Sequence, residues 1–269
     1  MKISVIIPTY KPQDYLWECL DSLAAQTFPK EEFEVLVILN GCNQPYKKQI
    51  EKYLSSVDQS LNIKLIHTDK GGVSNARNIG LDLAQGQQIT FIDDDDFVSA
   101  TYLESLHKKI HENTVVLARP HIFNNGDLTP LPYRSVNLFR QLSKDGRQSL
   151  IKARKLMHIT CIKLIPRDVI GERRYDPSFS VGEDTLMMFL LSDRIKSVDF
   201  ASDDAVYYRR MRSGGAVDKF RSSKVCQRAK NSFRLIFKYT SIYFSAPLRY
   251  SFFFYLTRVW GALHSIVKI

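Results

Sequence analysis

The sequence has 269 residues, 44% hydrophobic and 25% charged, a composition typical of a globular protein with an ample buried core. Its net charge of +10 is confined to residues 219–269, where ten Lys and Arg occur without any Asp or Glu. No uncharged apolar stretch reaches the ~20 residues that a membrane span needs, so the sequence predicts no transmembrane helix.

The first hundred residues alternate between strand-like and helix-like patterns. Continuous apolar or β-rich runs predict strands over residues 3–7, 33–39, 63–66 and 88–92. Apolar residues at helical spacing predict helices after residue 14, over 45–57 and over 73–85. Strand–helix–strand repeats of this length predict a mostly parallel sheet with right-handed crossovers. Ligands bind at the carboxyl ends of the strands in such sheets, so we expect the chemistry at that rim.

Beyond residue 101 the pattern is less regular. We predict a strand over residues 114–118 and then a loop region over residues 119–146, which contains Pro, Asn and Gly. A further helix is predicted to begin at Gly182-Glu183-Asp184 and to end near Leu191.

Four adjacent carboxylates, Asp93 to Asp96, follow the fourth predicted strand directly. Like charges this close raise one another's pKa values unless a cation is present. A solvated acidic loop is the simplest interpretation of such a run. This run lies at the predicted rim, however, and we adopt the hypothesis that it binds a hard divalent cation, Mn²⁺ or Mg²⁺, through carboxylate oxygens.

Two other segments carry polar residues at predicted helix starts. Gly71-Gly72 opens the third helix and Arg77 follows in its first turns, which favours phosphate binding, although a glycine pair alone is commonly a turn. Glu183-Asp184 opens another helix, where the helix dipole favours acidic residues even without a catalytic role.

In their order and spacing these segments resemble glycosyltransferase family 2 of the GT-A fold, over about residues 2–212. The matching motifs are Ser4-Val5-Ile6-Ile7-Pro8-Thr9-Tyr10, Asn75-Ala76-Arg77-Asn78-x-Gly80, Phe91-Ile92-Asp93-Asp94-Asp95-Asp96 and Glu183-Asp184. The combination is highly specific, although no single motif is. The resemblance implies an α/β fold with a Rossmann-like, mostly parallel sheet flanked by helices. It also implies an inverting, metal-dependent transferase that uses a nucleoside-diphosphate sugar, most often a UDP-sugar.

The resemblance implies roles for individual residues. Asp95 would be the metal ligand, and Asp184 would be the general base that takes the proton from the acceptor hydroxyl. Tyr208-Arg209-Arg210, followed by Gly214-Gly215, resembles the family's mobile segment that closes over the diphosphate. The residues matched to the donor are Pro8, Thr9, Tyr10, Asn40, Arg77, Asn78, Asp93, Asp94 and Arg209.

One position departs from the family's pattern. Members commonly end the second strand with two Asp residues, the second of which meets the uracil edge, whereas this sequence has Leu39 and Asn40. An asparagine amide can still donate and accept hydrogen bonds there. UDP and another nucleotide therefore both remain compatible with the sequence.

From the resemblance we predict one catalytic domain in two halves, with residues 1–100 binding the nucleotide-sugar and residues 101–218 binding the acceptor. Residues 219–269 would form a basic, aromatic, helical tail that suits an anionic membrane surface. Packing on the enzyme's own core or a homodimer contact is the alternative use of that tail. No nucleic-acid-binding motif accompanies the charge.

The four cysteines are far apart, with no C-x-x-C pair, and no signal peptide precedes the first predicted strand. These features predict a cytoplasmic protein, peripheral on the inner face of a bacterial membrane, whose acceptor is a glycan or a lipid-linked glycan for a surface polysaccharide. Two other classes remain open at this point. One is a phosphohydrolase that uses the D-x-D element as nucleophile and acid, and the other is a non-catalytic membrane-binding module.

Overall fold

The first half of the chain alternates strands and helices, as its apolar pattern predicts. The computed structural model describes residues 1–56, 60–212, 220 and 222–267. In chain order the elements of this half are β1 (Ile3–Thr9), α1 (Tyr15–Ala24), β2 (Phe33–Asn40), α2 (Tyr46–Leu54), β3 (Ile63–Thr68), α3 (Val73–Leu83) and β4 (Gln88–Phe91). The predicted end of the second helix at Val57 lies outside the described residues.

The second half adds short strands and helices around the acidic run. Its elements are β5 (Phe97–Val98), α4 (Tyr102–Lys108), β6 (Thr114–Leu117), β7 (Arg119–Asn124), α5 (Arg134–Ser143), α6 (Leu150–Ala153), β8 (Lys163–Pro166), α7 (Arg167–Ile170), α8 (Glu183–Leu191), β9 (Ser197–Phe200) and β10 (Val206–Met211). Two long helices follow, α9 (Val225–Ser245) and α10 (Phe252–Val267).

The described strands form a main sheet in the order β3-β2-β1-β4-β8-β6-β9. Neighbours in it are parallel except β8, which runs antiparallel to both β4 and β6. Every residue of β1 and β2 is buried, because helices cover both faces of the sheet. The predicted mostly parallel, Rossmann-like sheet flanked by helices is confirmed.

β1 continues two residues beyond its predicted end, through Pro8 to Thr9. Its pairing with β4 covers only Ile3 to Ile6, while its pairing with β2 extends to Thr9. Pro8 therefore lies where β1 has a single partner strand, a position at which the missing N–H of proline is tolerated.

The predicted loop region over residues 119–146 is wrong, because this segment contains β7 and α5. β7 is an edge strand of a second, three-stranded sheet in the order β5-β10-β7, and an edge strand tolerates Pro120. α5 is held by one buried aromatic, Phe139, whose ring packs edge-on against Phe200 at 5.3 Å between centroids. This small sheet places β10 directly beside the residues that follow the acidic run, since Tyr208 pairs with Phe97.

α9 and α10, the C-terminal helix pair, pack against each other and against α8. The helix pair contributes Leu235, Tyr239, Phe254 and Ala262 to the core. The Tyr239 ring meets Phe189 of α8 edge-on at 5.3 Å between centroids. Among the described residues, no helix combines the length and the hydropathy needed to cross a bilayer.

Candidate active site

The polar residues predicted at the rim converge there from four elements. β1 supplies Thr9, α3 supplies Arg77, the segment after β4 supplies Asp93 to Asp96, and α8 supplies Asp184. Parallel strands deliver their carboxyl ends to one edge of the sheet, and α3 and α8 direct their amino-terminal turns to the same place. The site therefore follows from the topology.

The four carboxylates of the acidic run occupy two different environments. Asp94 and Asp96 are 8% and 3% exposed, whereas the side chains of Asp93 and Asp95 are 40% and 15% exposed. The run forms a turn in which the N–H of Asp96 donates to the carbonyl oxygen of Asp93 at 3.1 Å. Within this turn Asp93 and Asp95 are the more exposed carboxylates, and the other two point inward. This is the spacing that a D-x-D element requires.

The inward carboxylates hold the rim together. Asp94 Oδ2 accepts a 2.6 Å hydrogen bond from Thr9 Oγ1, and burial raises the pKa of Asp94 to about 7. Asp96 accepts 2.7 Å bonds from the Tyr207 hydroxyl and from the backbone N–H of Arg210. Burial also raises the pKa of Asp96 well above its usual range. Asp94 is predicted to lie beside the donor, and the structure buries it against β1, so a donor contact from Asp94 stays a prediction.

Arg77 connects the acidic run to α8. Its guanidinium Nη1 lies 2.6 Å from Asp184 Oδ1 and 3.5 Å from Glu183 Oε1, and its Nη2 lies 3.2 Å from Asp93 Oδ1. Burial lowers the pKa of Arg77, but the charges of Asp184 and Asp93 more than offset this effect and the net shift is upward. Arg77 is therefore a permanent cation, 4% exposed at its side chain, between the two acids with predicted roles.

Asp184 is held by Arg77 and by Thr160. Its Oδ1 accepts from Arg77 at 2.6 Å and from Thr160 Oγ1 at 2.8 Å, while its Oδ2 accepts from the backbone N–H of Thr160 at 3.2 Å. Within the described part of the chain, Oδ1 thus accepts two bonds and Oδ2 one. Oδ2 has the greater remaining capacity to take a proton.

Arg212, which sequence reasoning missed, pairs with the predicted metal ligand. Its Nε lies 2.5 Å from Asp95 Oδ2, its Nη1 donates to the Tyr15 hydroxyl at 2.8 Å, and its guanidinium lies over the Tyr15 ring at 4.6 Å. Arg210, two residues earlier, binds Asp95 O, Asn125 and Glu18. Three arginines within four residues, starting at Arg209, were the available signal.

Arg209, the arginine that was predicted to contact the donor, is half-buried. Burial lowers its pKa, but the charges of Asp96 and Asp93 outweigh this and raise the pKa overall. Its positive charge therefore faces the acidic run. The Gly214-Gly215 part of the predicted mobile segment lies outside the described residues.

The other residues predicted to bind the donor differ in their exposure to solvent. Tyr10 is 53% exposed at the end of β1, while Pro8 and Thr9 are buried beneath it. Asn40 donates from Nδ2 to Thr9 O at 2.7 Å and accepts from Gly72 N–H at 2.9 Å, which pins the ends of β1 and β2 to the start of α3. A nucleobase contact from Asn40 stays a prediction.

Asn78 was expected beside the donor, and the structure gives its amide another contact. Nδ2 donates to Tyr175 O at 2.9 Å and Oδ1 accepts from Tyr175 N–H at 2.8 Å. The Arg77 guanidinium lies over the ring of the same Tyr175, 5.4 Å from its centroid. The Asn78 amide braces α3 against the segment that precedes α8.

The carboxylates at the rim fit a divalent cation chemically. Burial and the charge of Asp93 raise the pKa of Asp95, and a cation would remove that penalty. Among the described residues, no group of three or more His, Cys, Asp and Glu side chains is arranged as a closed metal site. Mg²⁺ is usually held by one or two carboxylates, with phosphate oxygens and water completing its shell. Asp93 and Asp95 suit a cation shared with a diphosphate.

The sequence is similar to a family of known proteins and to individual members of that family. The model of Glycosyl transferase family 2 matches residues 4–174. Poly(ribitol-phosphate) beta-N-acetylglucosaminyltransferase TarS of Staphylococcus aureus is 28% identical over 219 residues, covering 80% of this chain and 36% of TarS. The minor teichoic acid biosynthesis protein GgaB of Bacillus subtilis is 29% identical over 219 residues, covering 79% of this chain and 23% of GgaB. The chain thus spans about a third or less of the length of these relatives.

A solved structure shares the fold. The crystal structure of S. aureus TarS 1-349 in complex with UDP-GlcNAc has a TM-score of 0.72 and 26% sequence identity, covering 90% of this chain and 67% of that one. The same protein in complex with UDP has a TM-score of 0.65 and 25% identity, with 88% and 66% covered.

Proposed function

Since this chain belongs to Glycosyl transferase family 2, we propose that it transfers a sugar from a UDP-sugar to a hydroxyl group of a bacterial surface glycan or its lipid-linked precursor. One observation carries the proposal: Arg77 joins Asp93 of the D-x-D pair to Asp184, with both ion pairs at 3.2 Å or less. The likeness to TarS bound to UDP-GlcNAc supports a UDP-sugar donor.

In the proposed reaction Asp184 is the general base. The acceptor hydroxyl approaches the anomeric carbon from the side opposite the diphosphate and gives its proton to Asp184 Oδ2 as the new bond forms. A single displacement inverts the anomeric configuration. Asp184 keeps its orientation through Arg77 and Thr160, whose side chains both donate to Oδ1, while Oδ2 accepts only the backbone N–H of Thr160 among the described residues.

Negative charge develops on the leaving diphosphate, and cations around the acidic run stabilise it. Arg77 and Arg212 already carry the positive charge that faces Asp93 and Asp95. When bound, Mn²⁺ or Mg²⁺ held by Asp95 with Asp93 would supply further positive charge to the diphosphate. Preorganised cations of this kind stabilise the transition state without rearranging during the reaction.

The nucleoside would lie against the end of β1. The exposed ring of Tyr10 offers a face on which a nucleobase would stack. The Thr9 carbonyl and the Asn40 side-chain amide, which are hydrogen-bonded to each other, would lie beside that base. Within this proposal residues 1–100 bind the donor and residues 101–218 the acceptor.

We further propose that the helix pair docks on an anionic membrane surface, which would bring the enzyme to a lipid-linked acceptor on the cytoplasmic side. Most large hydrophobic residues exposed by the described chain belong to this segment, namely Val225, Phe233, Phe237, Phe244, Leu248, Phe252, Phe253, Leu256, Trp260 and Leu263. Exposed Lys224, Lys230 and Arg249 accompany them, and no acidic residue occurs in the segment. A basic face with exposed aromatic side chains suits anionic lipid headgroups.

The transfer reaction can be tested directly. The protein is incubated with Mn²⁺, a panel of UDP-sugars beginning with UDP-GlcNAc, and a hydroxylated polymer such as poly(ribitol phosphate), and UDP release and labelled polymer are measured. We expect polymer-dependent UDP release and a product of inverted configuration. Phosphate released from simple esters, with no sugar transfer, would instead support a phosphohydrolase, which the family match does not favour.

The matched variants are Asp184→Asn and Asp176→Asn. Asp184→Asn keeps an acceptor for Arg77 but loses the base, so transfer should fall by ~10²–10⁴ while UDP binding is nearly unchanged. Asp176 binds Lys238 at 2.8 Å, outside the network around Arg77, and its variant should retain transfer. Equal losses in the two variants would contradict the assignment of the base.

A further inference from the structure

Lys163 is a lysine without solvent exposure in the middle of the main sheet. It is the first residue of β8, it is 0% exposed, and the proposed reaction gives it no part. Burying an ammonium group is costly unless it is hydrogen-bonded, so its partners indicate what the group does.

The Lys163 side chain folds back onto the segment that precedes it. Its Nζ donates to the carbonyl oxygen of Ile159 and, at 3.3 Å, to that of Cys161. These two carbonyls flank Thr160. Between them and Lys163 the chain passes through Ile162, which has a φ of 66°. This left-handed conformation is strained for a β-branched residue, and such strain persists only where surrounding contacts enforce it.

Thr160, the residue between the two carbonyls, is the one that holds Asp184. Its N–H donates to Asp184 Oδ2 at 3.2 Å and its hydroxyl to Oδ1 at 2.8 Å. The hydroxyl of Tyr175 lies 3.0 Å from the same Thr160 oxygen and donates to it, because the threonine proton is already used. A continuous chain of contacts therefore runs from Lys163 through Thr160 to Asp184.

We propose that Lys163 is a positioning residue for proton transfer: it fixes the strained segment 159–162 so that Thr160 orients the Asp184 carboxylate. The inference rests on the proposed function, in which Asp184 is the base. Lys163 touches neither donor nor acceptor in this scheme, and its effect passes through the two donors of Thr160. Burial lowers the pKa of Lys163 to about 8. The two bonds need two N–H donors, which both the ammonium form and the neutral amine have.

The kinetic test compares wild type with Lys163→Met, which keeps the length of the side chain and removes its donors. Transfer kcat should fall about 10–100-fold, the effect of a small misplacement of a catalytic group, with KM for the UDP-sugar unchanged. Lys163→Gln keeps an amide donor and should retain more of kcat than Lys163→Met. It also serves as the test variant if Lys163→Met does not fold. Wild-type turnover in a folded variant would overturn the proposal.

A double-mutant cycle separates positioning from general destabilisation. In the Asp184→Asn background, Lys163→Met should cause no further loss of kcat, because the group on which Lys163 acts is already gone. An equal loss in both backgrounds would mean that Lys163 only supports the fold. Suppose that wild type transfers sugar and Asp184→Asn does not. An unchanged kcat in Lys163→Met would then reject the positioning role of Lys163 and leave the proposed function standing.

A spectroscopic readout does not depend on transfer. The carboxyl ¹³C resonance of Asp184, assigned by its loss in Asp184→Asn, should move in the same direction in Lys163→Met and in Thr160→Val. An unmoved resonance in Lys163→Met would overturn the proposal. A wild-type protein that transfers no sugar would reject the proposed function, and this measurement would still show whether Lys163 acts on Asp184 through Thr160.

Discussion

The acidic run shows what single residues contribute to the site. Asp93 to Asp96 are identical in type and adjacent in sequence, yet they have different environments. The first and third form ion pairs with arginines at the rim, whereas the second and fourth are buried and accept hydrogen bonds from hydroxyl groups. The acidic run and Glu183-Asp184 could be found from sequence, because each follows or opens a predicted element. Thr160 and Tyr207 could not, since they reach their acids across 24 and 111 positions. For Arg212 the run of three arginines was a signal, but its pairing with Asp95 could not be predicted from that run.

Asp95→Asn should separate cation binding from folding. The change keeps the size of the side chain and removes its charge, so binding of Mn²⁺ together with UDP, measured by calorimetry, should weaken greatly while the thermal unfolding midpoint changes little. Asp96→Asn is the control. It weakens a buried carboxylate that accepts from Tyr207 and Arg210, and it should lower the unfolding midpoint more than it affects Mn²⁺ binding. Unchanged metal binding in Asp95→Asn would remove Asp95 from the site.

Lys163 should also be visible in the pH dependence of stability. Its folded pKa of about 8 lies below the usual lysine value of 10.5, so between these values the unfolded chain binds more protons and stability rises with pH. The penalty for burying the charge is fully present below pH 8. Relative to Lys163→Met, wild type should gain about 2 kcal/mol in free energy of unfolding from pH 7 to pH 10.

The measurement is urea unfolding of both proteins at several pH values, and only the change in their difference matters. Cys161, Asp184, Arg258 and His158 also face Lys163, and both proteins share them, so their direct contributions largely cancel. A difference that is constant from pH 7 to pH 10 would contradict a depressed lysine pKa.

At the scale of elements, the order of strands and helices over the first hundred residues could be predicted, because buried parallel strands have continuous apolar runs. β7 and α5 could not, since an edge strand with Pro120 and a helix whose one fully buried side chain is Phe139 show neither pattern clearly. The packing of α9 on α8 could not be predicted from the sequence either. It depends on close approach at Gly182, where an added Cβ would lie 2.6 Å from Leu235 Cδ1.

Gly182→Ala should therefore destabilise the protein by two effects. Gly182 has a φ of +94°, which strains any other residue, and its methyl group would collide with Leu235 of α9. Gly126→Ala is the matched control, because Gly126 has a φ of +86° and nothing within 4 Å of an added Cβ. We expect a loss of about 2–4 kcal/mol for Gly182→Ala and about 1 kcal/mol for Gly126→Ala, measured by urea unfolding. Equal losses would mean that α9 does not constrain the start of α8.

At the scale of the whole molecule, charge and exposed hydrophobic surface lie in the same region. The sequence predicted a basic aromatic tail, and the structure shows that one face of the helix pair completes the core while the other is exposed. Two of its cations contribute little to an exposed basic face, because Arg228 is buried and Arg258 is half-buried with its guanidinium over the Phe254 ring. The sequence could not divide the segment in this way, because apolar residues occur around most of both helices.

Replacing Phe237 and Trp260 with Ser should abolish binding to anionic vesicles, because these side chains are 72% and 71% exposed and would enter the lipid interface. Leu128→Ser is the control, at an exposed hydrophobic residue outside the helix pair. Co-sedimentation with anionic and neutral vesicles at low and high salt is the measurement, and wild-type binding should weaken with salt. Equal sedimentation with both lipids, or none by wild type, would contradict membrane docking.

The contacts that assemble the rim join parts of the chain that are far apart in sequence. Arg77 and Asp184 are separated by 107 positions, Tyr207 and Asp96 by 111, and Arg210 and Glu18 by 192. Closing long loops costs entropy that is recovered only when the final contacts form, so such contacts form late in folding. During synthesis, β1 to β4 can pair while the acidic run still lacks its partners from β10. The proposed site is therefore complete only after β10 has joined the three-stranded sheet, and a chain that ends before residue 212 would have most of the main sheet without Arg212 beside Asp95.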